Sequence, residues 1–281
     1  MPRARRGQAE PISVMILVAA TLVVAIGLYA YFTGVYAGQS QRISLVDAIA
    51  NVASGVSMFE EAALINRVQA TGDYTYCYVV SIANSLGNPI AVYITLLPGA
   101  PEPNGIINVN DLYLYVPVYY LGTAPYERRV HVWLVEDYDR DGVVEVLGQD
   151  PTTGALQVAY NTTPSCSELY ENKDNLANLK PLLLPRDADD PNYGYNGSKV
   201  YLSIEGLSYT EYVRAMVPGA PANLYVPLWN ITLPANGKVS ILVFAWNDSP
   251  LDAASLVGFV RYGDSFYAAT TLQLSTVKTA P

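Results

Sequence analysis

The sequence lacks most of the signatures of catalysis. Charged residues are only 15% of its 281 residues, and histidine occurs once, as His131. It contains no glycine-rich phosphate loop, no histidine and cysteine cluster at metal-binding spacing, and no nucleophile elbow. The alternating pattern around His131 favours an outward-facing strand residue over a general base. A glycosidase-type pair of carboxylates from distant positions stays open, but our prediction is that the protein is not an enzyme.

Basic residues are also scarce. Lys and Arg number 16 against 25 Asp and Glu, which gives a net charge of −9. Three of the basic residues, Arg3, Arg5 and Arg6, lie within the first seven positions, so the rest of the chain has 13 basic residues and a net charge of −12. A body this acidic is not attracted to nucleic acid or to anionic lipid. We therefore predict no nucleic-acid partner.

Cysteine is nearly absent. The two cysteines are Cys77 and Cys166, which are too few for a disulfide-rich framework. In an exported chain an even number permits one bridge, Cys77–Cys166, and the other interpretation is a pair of buried free thiols. The sequence leaves both states open.

What the sequence does contain is one long apolar segment near the N-terminus. Residues 12–32 form an uncharged run of 21 residues, which as a helix would span about 30 Å, the thickness of a hydrocarbon core. Pro11 suits the first turn of such a helix, and Glu10 complements the positive end of its dipole. Three interpretations are open: a secretory signal peptide cut before Gly38, an uncleaved single-pass anchor, and a filament subunit whose leader is cut on the N-terminal side.

The residues around this run favour the third interpretation. A short basic leader ends at Gly7, Pro11 precedes the apolar run, Thr21 lies within it, and Ala30-Tyr31-Phe32-Thr33-Gly34 closes it. In these features residues 3–34 resemble the N-terminal region of archaeal type IV pilins. The resemblance implies a leader peptidase that cuts between Gly7 and Gln8, and an apolar helix that forms the core of a filament. Its core-forming residues would be Pro11, Ile16, Leu17, Leu22, Ile26 and Phe32.

The resemblance has one departure from the bacterial relatives of this family. Bacterial type IV pilins carry a glutamate at the fifth position after the cleavage site, whereas Glu10 would be the third. The resemblance therefore implies no glutamate assembly contact for this chain.

A second periodic segment follows the apolar run. Its members recur at steps of three and four residues, as on one face of a helix; they are Leu45, Ile49, Val52, Val56, Phe59 and Ala63. We predict that the helix continues in amphipathic form over residues 43–70 and ends at Thr71-Gly72. The predicted domains are a cleaved leader (1–7), a long N-terminal helix (8–71, with its hydrophobic part over 11–34) and a β-rich exterior domain (72–281).

The sequence of the exterior domain predicts β-structure. Short segments rich in Val, Tyr and Thr alternate with turn sequences such as Asn236-Gly237, the pattern of an antiparallel sandwich. The predicted strands are residues 74–83, 90–97, 112–121, 130–135, 156–160, 199–204, 225–233, 239–245 and 257–274. The predicted fold class is therefore α+β: a long, pilin-like N-terminal hydrophobic helix followed by a mainly antiparallel β-sandwich.

One acidic motif lies between two predicted strands. The residues from Asp137 to Gly142 match a DxDxDG calcium loop, in which carboxylates at alternate positions converge on a cation and glycine permits the sharp turn. The carbonyl of Val143 would be the next ligand, Val144 would anchor the loop to the core, and Glu145 or Asp150 would replace the bidentate glutamate of an EF-hand. A solvated acidic turn is the alternative. The predicted ligands of a structural Ca²⁺ are Asp137, Asp139, Asp141, Val143 and Glu145.

Four Asn-X-Ser/Thr sequons lie in the predicted exterior domain. They begin at Asn161, Asn196, Asn230 and Asn247. Each predicts a glycan on an exposed loop or strand edge of an exported protein. The proline after the fourth sequon makes that site the weakest candidate.

These features predict a structural subunit of an archaeal type IV-like surface or adhesion filament, polymerising through its N-terminal hydrophobic helix. Its partners would be copies of itself in a helical homopolymer, the membrane before assembly, the leader peptidase, and surfaces or other cells. The protein would be exported to the cell surface, with structural Ca²⁺ as its cofactor. The alternative is a single-pass membrane-anchored or secreted, calcium-stabilised cell-surface binding protein that does not polymerise.

Overall fold

A computed structural model describes a large part of the chain. The described residues are 44–98, 129–150, 152–173, 180–183, 195–202, 206–216, 224–247, 250–251 and 253–276. The chain divides into two compact units, Met1–Ala48 and Ile49–Pro281. Of the described residues, 52% lie in strands, and three short helices accompany them. The first helix, α1, covers residues 44–55.

The predicted fold class is wrong in its long N-terminal helix. Instead of continuing to residue 70, the chain leaves the helical conformation at Gly55 and enters strand β1 (Val56–Arg67). Gly55 lies so close to Leu86 that a Cβ atom would be 2.4 Å from that side chain, and its carbonyl accepts a hydrogen bond from the Ser85 N–H at 2.8 Å. The contact with the turn after the next strand therefore favours the strand direction over further helix.

The apolar periodicity from Leu45 to Ala63 led to the wrong prediction of a helix because its C-terminal part fits a strand as well. Val56 and Met58 are buried at alternate positions of β1, whereas Phe59, expected on the buried face of a helix, is 54% exposed. Ala63 is exposed too. Residues 1–43, including the apolar run, lie outside the described residues. Within the part of the chain that is described, no helix is long and apolar enough to cross a membrane.

The described residues form two larger sheets and one small one. The strands are β1 (Val56–Arg67), β2 (Tyr74–Asn84), β3 (Ile90–Pro98), β4 (Val130–Glu136), β5 (Glu145–Gln149), β6 (Leu156–Tyr160), β7 (Tyr195–Asn196), β8 (Val200–Tyr201), β9 (Tyr225–Val226), β10 (Trp229–Leu233), β11 (Gly237–Asn247), β12 (Ala254–Tyr262) and β13 (Ser265–Leu274). Sheet A has the order β1-β2-β11-β4-β5-β6, sheet B has β10-β3-β12-β13-β8, and β7 pairs with β9. All pairings are antiparallel except β13 with β8.

The main core lies between sheets A and B. Alternate residues of β2, among them Tyr76 and Tyr78, face alternate residues of sheet B and are fully buried. The hydroxyl groups stay satisfied, because Tyr76 accepts the Leu251 N–H at 2.7 Å and Tyr78 donates to the Ser275 carbonyl at 2.8 Å. Burying each large apolar side chain contributes about 1.5–3 kcal/mol, so this alternation is the chief reason the sandwich forms.

A second core covers the other face of sheet A. The intervening residues of β2, β4 and β11 contribute Cys77, Trp133 and Phe244, and helix α2 (Cys166–Glu171) packs over them. A disulfide joins Cys77 to Cys166, with Cα atoms 5.9 Å apart, which is one of the two states the sequence left open. Burial on both faces explains why β2 reads as a nearly continuous apolar run.

The second core also explains why His131 is buried. His131 is 5% exposed and its ring stacks on Trp246, with centroids 5.8 Å apart. Its expected outward orientation is correct for the sheet, but the expected exposure is wrong because aromatic rings cover that face. The third helix, α3 (Tyr209–Met216), begins with a capping box in which Ser208 and Glu211 hydrogen-bond reciprocally.

Candidate calcium site in the β4–β5 hairpin

The acidic motif forms the loop of a β-hairpin. Strands β4 and β5 pair through Leu134–Leu147, Val135–Val146 and Glu136–Glu145, which leaves residues 137–144 as the connection. Two loop residues have left-handed backbone conformations, Arg140 at φ 62° and Gly142 at φ 90°. Glycine adopts this conformation without steric cost. The loop therefore turns sharply within the acidic segment itself.

Side-chain carboxylates hold the loop backbone in place. The carboxylate of Asp137 accepts the Gly142 N–H at 3.2 Å, and that of Asp139 accepts the Asp141 N–H at 3.2 Å. Asp141 accepts the Val143 N–H at 2.7 Å. Each aspartate bonds to a backbone N–H further along the loop, as short aspartates in turns do. These bonds use one oxygen of each carboxylate and direct the chain around the cluster.

Three of the predicted ligands converge. One carboxylate oxygen from each of Asp137, Asp139 and Glu145 lies within 4.8 Å of the others. Calcium binds oxygen ligands at about 2.3–2.6 Å, so two ligands of one ion are at most about 5 Å apart. The observed spacing is therefore compatible with a single Ca²⁺ between them. Asp141 is not a member of this group of side chains, and the predicted backbone ligand, the Val143 carbonyl, stays a prediction.

Glu145 enters the cluster because of strand register. It is the first residue of β5 and lies opposite Glu136, so its side chain returns to the base of the loop. It is only 6% exposed, and its Oε2 accepts the Tyr138 N–H at 2.8 Å. Asp150, the alternative to Glu145, instead caps the turn after β5 by accepting the N–H groups of Thr152 and Thr153.

The cluster is electrostatically unfavourable as three bare carboxylates. Oδ1 of Asp137 is buried and makes no hydrogen bond, a costly state for a charged oxygen. The Asp141 N–H lowers the pKa of Asp139, but desolvation and the negative charges of Asp141 and Glu145 outweigh that bond, so the pKa of Asp139 is raised above its usual value. A divalent cation would neutralise this repulsion and give Asp137 Oδ1 a partner.

The converging ligand atoms are of the type that Ca²⁺ binds. All three converging ligands are carboxylate oxygens, which Ca²⁺ and Mg²⁺ prefer and which are weak choices for softer metals. Val144 does not anchor the loop as expected, since it is 47% exposed, much like Val143 at 45%. The loop is held by its own hydrogen bonds and by the β4–β5 ladder, so a bound ion would join the two strand ends.

The other predicted sites are distributed as follows. Asn161 and Asn230 are exposed, Asn196 is half-buried, and Asn247 is fully buried in β11 with the Arg129 guanidinium donating to its Oδ1 at 3.2 Å. The predicted processing site, Gly7 and Gln8, and the predicted filament-core residues lie outside the described residues.

A cleft of about 490 Å³ is lined by residues of β4, β5, β6 and β11 of sheet A and of β10 of sheet B. Glu136, at the end of β4, is one of its lining residues. Sequence reasoning missed this cleft, since it depends on how two sheets with non-consecutive strands overlap.

Comparisons of the chain with known protein families, with curated proteins and with solved structures found no match.

Proposed function

We propose that the protein is a structural subunit of an archaeal type IV-like surface filament, exported and calcium-stabilised, with no catalytic role. The observation that carries this proposal is the N-terminal arrangement of three arginines, Gly7, Pro11 and an uncharged run of 21 residues. Basic residues before an apolar run hold that end in the cytoplasm. The apolar segment would reside in the membrane before assembly and would contact copies of itself afterwards.

The β-rich unit supports export of the chain. Its two cysteines form a disulfide between a strand and a helix, and such bonds persist in oxidising compartments outside the cytosol. A disulfide and a candidate Ca²⁺ loop are both means of stabilising a domain that works outside the cell. The buried position of His131 beneath Trp246 also offers no general base to a substrate.

The proposed part played by calcium is structural. The ion would bind Asp137, Asp139 and Glu145 at the ends of two neighbouring strands. Its charge would replace mutual repulsion with attraction among those groups. The described residues near the loop are strands, so the ion would act as a clamp on a hairpin.

The filament proposal is tested by the N-terminal peptide mass of protein sheared from cells. We expect a peptide that begins at Gln8 and filaments visible by electron microscopy. Gly7→Val should block leader removal and abolish filaments, whereas Ala37→Leu, at the residue before the secretory cleavage point, should leave both unchanged. An intact Met1 confined to the membrane would overturn the proposal.

A second candidate is a membrane-anchored or secreted, calcium-stabilised cell-surface binding protein. The small residues at Ala37 and Gly38 favour the secreted form. In that case the mature chain would begin at Gly38, and Ala37→Leu would prevent its release. The same pair of variants therefore separates the two candidates.

A further inference from the structure

The outermost strands of the two sheets differ in how they are protected. Among the strands that are described, sheet A ends in β1 and β6, and sheet B ends in β10 and β8. An outermost strand presents unpaired N–H and C=O groups to any other extended chain. Proteins usually block such strands with charges, bulges or a very short length.

Two of these strands are protected by their own sequence. Strand β1 has a bulge between Glu60 and Ala62, and it carries the charges of Glu60 and Glu61 at that point. Strand β8 has only two residues, Val200–Tyr201. Both features make further strand pairing unfavourable.

Strand β10 has none of these protections. Its five residues pair with β3 in unbroken register, and none of them is charged. Its Ile231 lines the 490 Å³ cleft together with the apolar side chains of Leu134, Leu156 and Leu182. Glu136 and Lys238 also line the cleft, but neither belongs to β10, and Ile231 and Leu182 are already buried. An extended segment that entered the cleft would therefore pair with the main chain of β10 and cover the exposed Leu156, so this edge permits unwanted association.

Strand β6 is only slightly better protected. It has no charged residue, and its single bulge lies near its C-terminal end, opposite Val146 and Leu147. Leu156 and Val158 are 40% and 38% exposed. This edge therefore also offers apolar side chains beside a pairing surface.

The sequons coincide with these two edges. Asn230 is an exposed residue of β10 and lines the cleft, and Asn161 is the exposed residue directly after β6. We propose that N-linked glycans on Asn230 and Asn161 cover the edges of β10 and β6 and prevent another extended segment, including one from a second copy, from pairing there. This inference depends on the proposed export of the chain, and it does not depend on filament formation.

The two remaining sequons would stay unmodified. Asn247 is fully buried at the end of β11, beside β2, where a glycan has no room. Asn196 is half-buried and is the last residue of β7, which pairs with β9. The folded structure therefore divides the four Asn-X-Ser/Thr motifs into two with an exposed asparagine and two with a wholly or partly buried one.

The modification is a glycosyl transfer from a sugar donor activated as a phosphate or pyrophosphate ester. The side-chain amide nitrogen of Asn230 or Asn161 forms a bond to C1 of the sugar. The C1–O bond to the phosphate breaks and the phosphate leaves with the bonding electrons. One amide proton passes to a base, so no oxidant or reductant is needed.

The site assignment is tested by mass spectrometry of glycopeptides from the full-length protein recovered from its own cells. We expect glycan mass on the peptides that contain Asn161 and Asn230, and none on those that contain Asn196 and Asn247. Bare Asn161 and Asn230, or a glycan on Asn247, would overturn the inference. The N-terminal peptide in the same digest reports on the filament proposal separately, since export without Gln8 processing still permits glycosylation.

The edge-protection role is tested with matched variants of the full-length chain in detergent solution. Thr232→Ala keeps Asn230 but destroys the sequon, and it should increase self-association measured by light scattering while the circular dichroism spectrum stays unchanged. Asn230→Lys also removes the glycan but places a charge on the edge, so it should restore the wild-type scattering. If Thr232→Ala scatters like wild type, or if Asn230→Lys associates as strongly as Thr232→Ala, the role is wrong.

Discussion

The β1–β2 hairpin and the β4–β5 hairpin lie on opposite sides of the central strand β11. The first is tied to helix α2 by the Cys77–Cys166 disulfide and by the Tyr170 hydroxyl, which bonds to Asp73 and Thr71 in its turn. The second ends in three converging carboxylates, one of them with an unpartnered buried oxygen. The first hairpin is tied to a neighbouring element by a covalent bond and a hydroxyl group, whereas the second is held by its own hydrogen bonds and leaves a buried carboxylate oxygen without a partner.

Removal of the disulfide is expected to cause the largest loss of unfolding free energy. The bond links residues 89 positions apart, and releasing a loop of that size costs about 4 kcal/mol of unfolding free energy. Cys77→Ser with Cys166→Ser should lower the midpoint of denaturant unfolding accordingly. Any increase in stability on addition of Ca²⁺ should remain in this variant, because the candidate site lies in the other hairpin. Loss of that increase would show that the stabilities of the two hairpins are coupled.

The next largest loss of stability is expected at Gly148 of β5, which lies against Lys180 in the segment of residues 180–183. A Cβ atom on Gly148 would lie 1.5 Å from the carbonyl oxygen of Lys180, which accepts the Gln149 N–H at 3.1 Å. Gly148→Ala must therefore displace backbone, and we expect a loss of about 3 kcal/mol. Gly87→Ala is the control, since a Cβ there meets no atom within 4 Å. Equal thermal stability of the two variants would contradict the close packing at Gly148.

Calcium addition should stabilise the β4–β5 end only. At a hundredfold excess over the dissociation constant, the ion should raise the unfolding free energy by about 2.7 kcal/mol. Asp139→Asn should abolish most of this shift, and Asp264→Asn, an exposed acid in the β12–β13 turn, should not. A full Ca²⁺ shift in Asp139→Asn, measured by thermal melting with and without chelator, would rule out the site.

The raised pKa of Asp139 gives this site a pH signature. The folded, ion-free protein binds a proton at Asp139 more tightly than the unfolded chain does. The contribution of Asp139 to stability, measured as the difference between the wild type and Asp139→Asn without Ca²⁺, should therefore rise as the pH falls through the raised pKa. Protons compete with Ca²⁺ in the same range, so the stabilisation by Ca²⁺ should disappear on acidification. Melting curves at stepwise lower pH, with and without Ca²⁺, would check both trends.

Two tyrosines provide the smallest and most closely matched test. The Tyr170 hydroxyl bonds to Asp73, so Tyr170→Phe should cost about 1 kcal/mol. The Tyr160 hydroxyl, in β6, is buried without a hydrogen-bond partner, so Tyr160→Phe should be neutral or slightly stabilising. Denaturant titration of both variants should separate them, and an equal loss would mean that Tyr160 has a bonded partner.

Alkaline pH sharpens the tyrosine comparison. Burial, with a smaller contribution from Glu168, raises the pKa of Tyr160 to about 12. The neutral phenol is favoured in the folded state, so its contribution is present below about pH 10, the usual tyrosine pKa, and is lost as the pH rises toward 12. Tyr160→Phe should therefore flatten this part of the stability curve, whereas an unchanged slope would contradict the assignment.

Much of the β-rich unit was predictable from local patterns. The predicted segment 156–160 coincides with β6, and 74–83 falls within β2. Both Ser165 and Ser208 begin a Ser-X-X-Glu sequence. Ser165 accepts the Glu168 N–H as an N-cap, and Ser208 and Glu211 form a full capping box. These sequences mark helices α2 and α3, which were not predicted. Strand β1 was not predictable in this way, because its apolar spacing suits a helix until pairing with β2 is known.

The candidate site was also predictable only where its residues lie close together in the sequence. Alternate spacing of Asp137 and Asp139 could be read locally, since a turn brings such residues together. The inclusion of Glu145 depends on the β4–β5 register, and the burial of His131 depends on rings from β11 that lie more than a hundred residues away. Interactions that join distant segments leave no periodic signal in one sequence.

The position of β11 has a consequence for the timing of folding. This strand lies between β2 and β4 in sheet A and pairs with both, so the sheet cannot close until Asn247 is available to the rest of the chain. Such non-local pairing makes folding slow, because a long loop must be closed before its contacts can reward it. In synthesis from the N-terminus, β2 is complete more than 150 residues before β11. For the whole of that interval β2, an apolar strand that is buried on both faces in the folded protein, lacks one of its two partner strands.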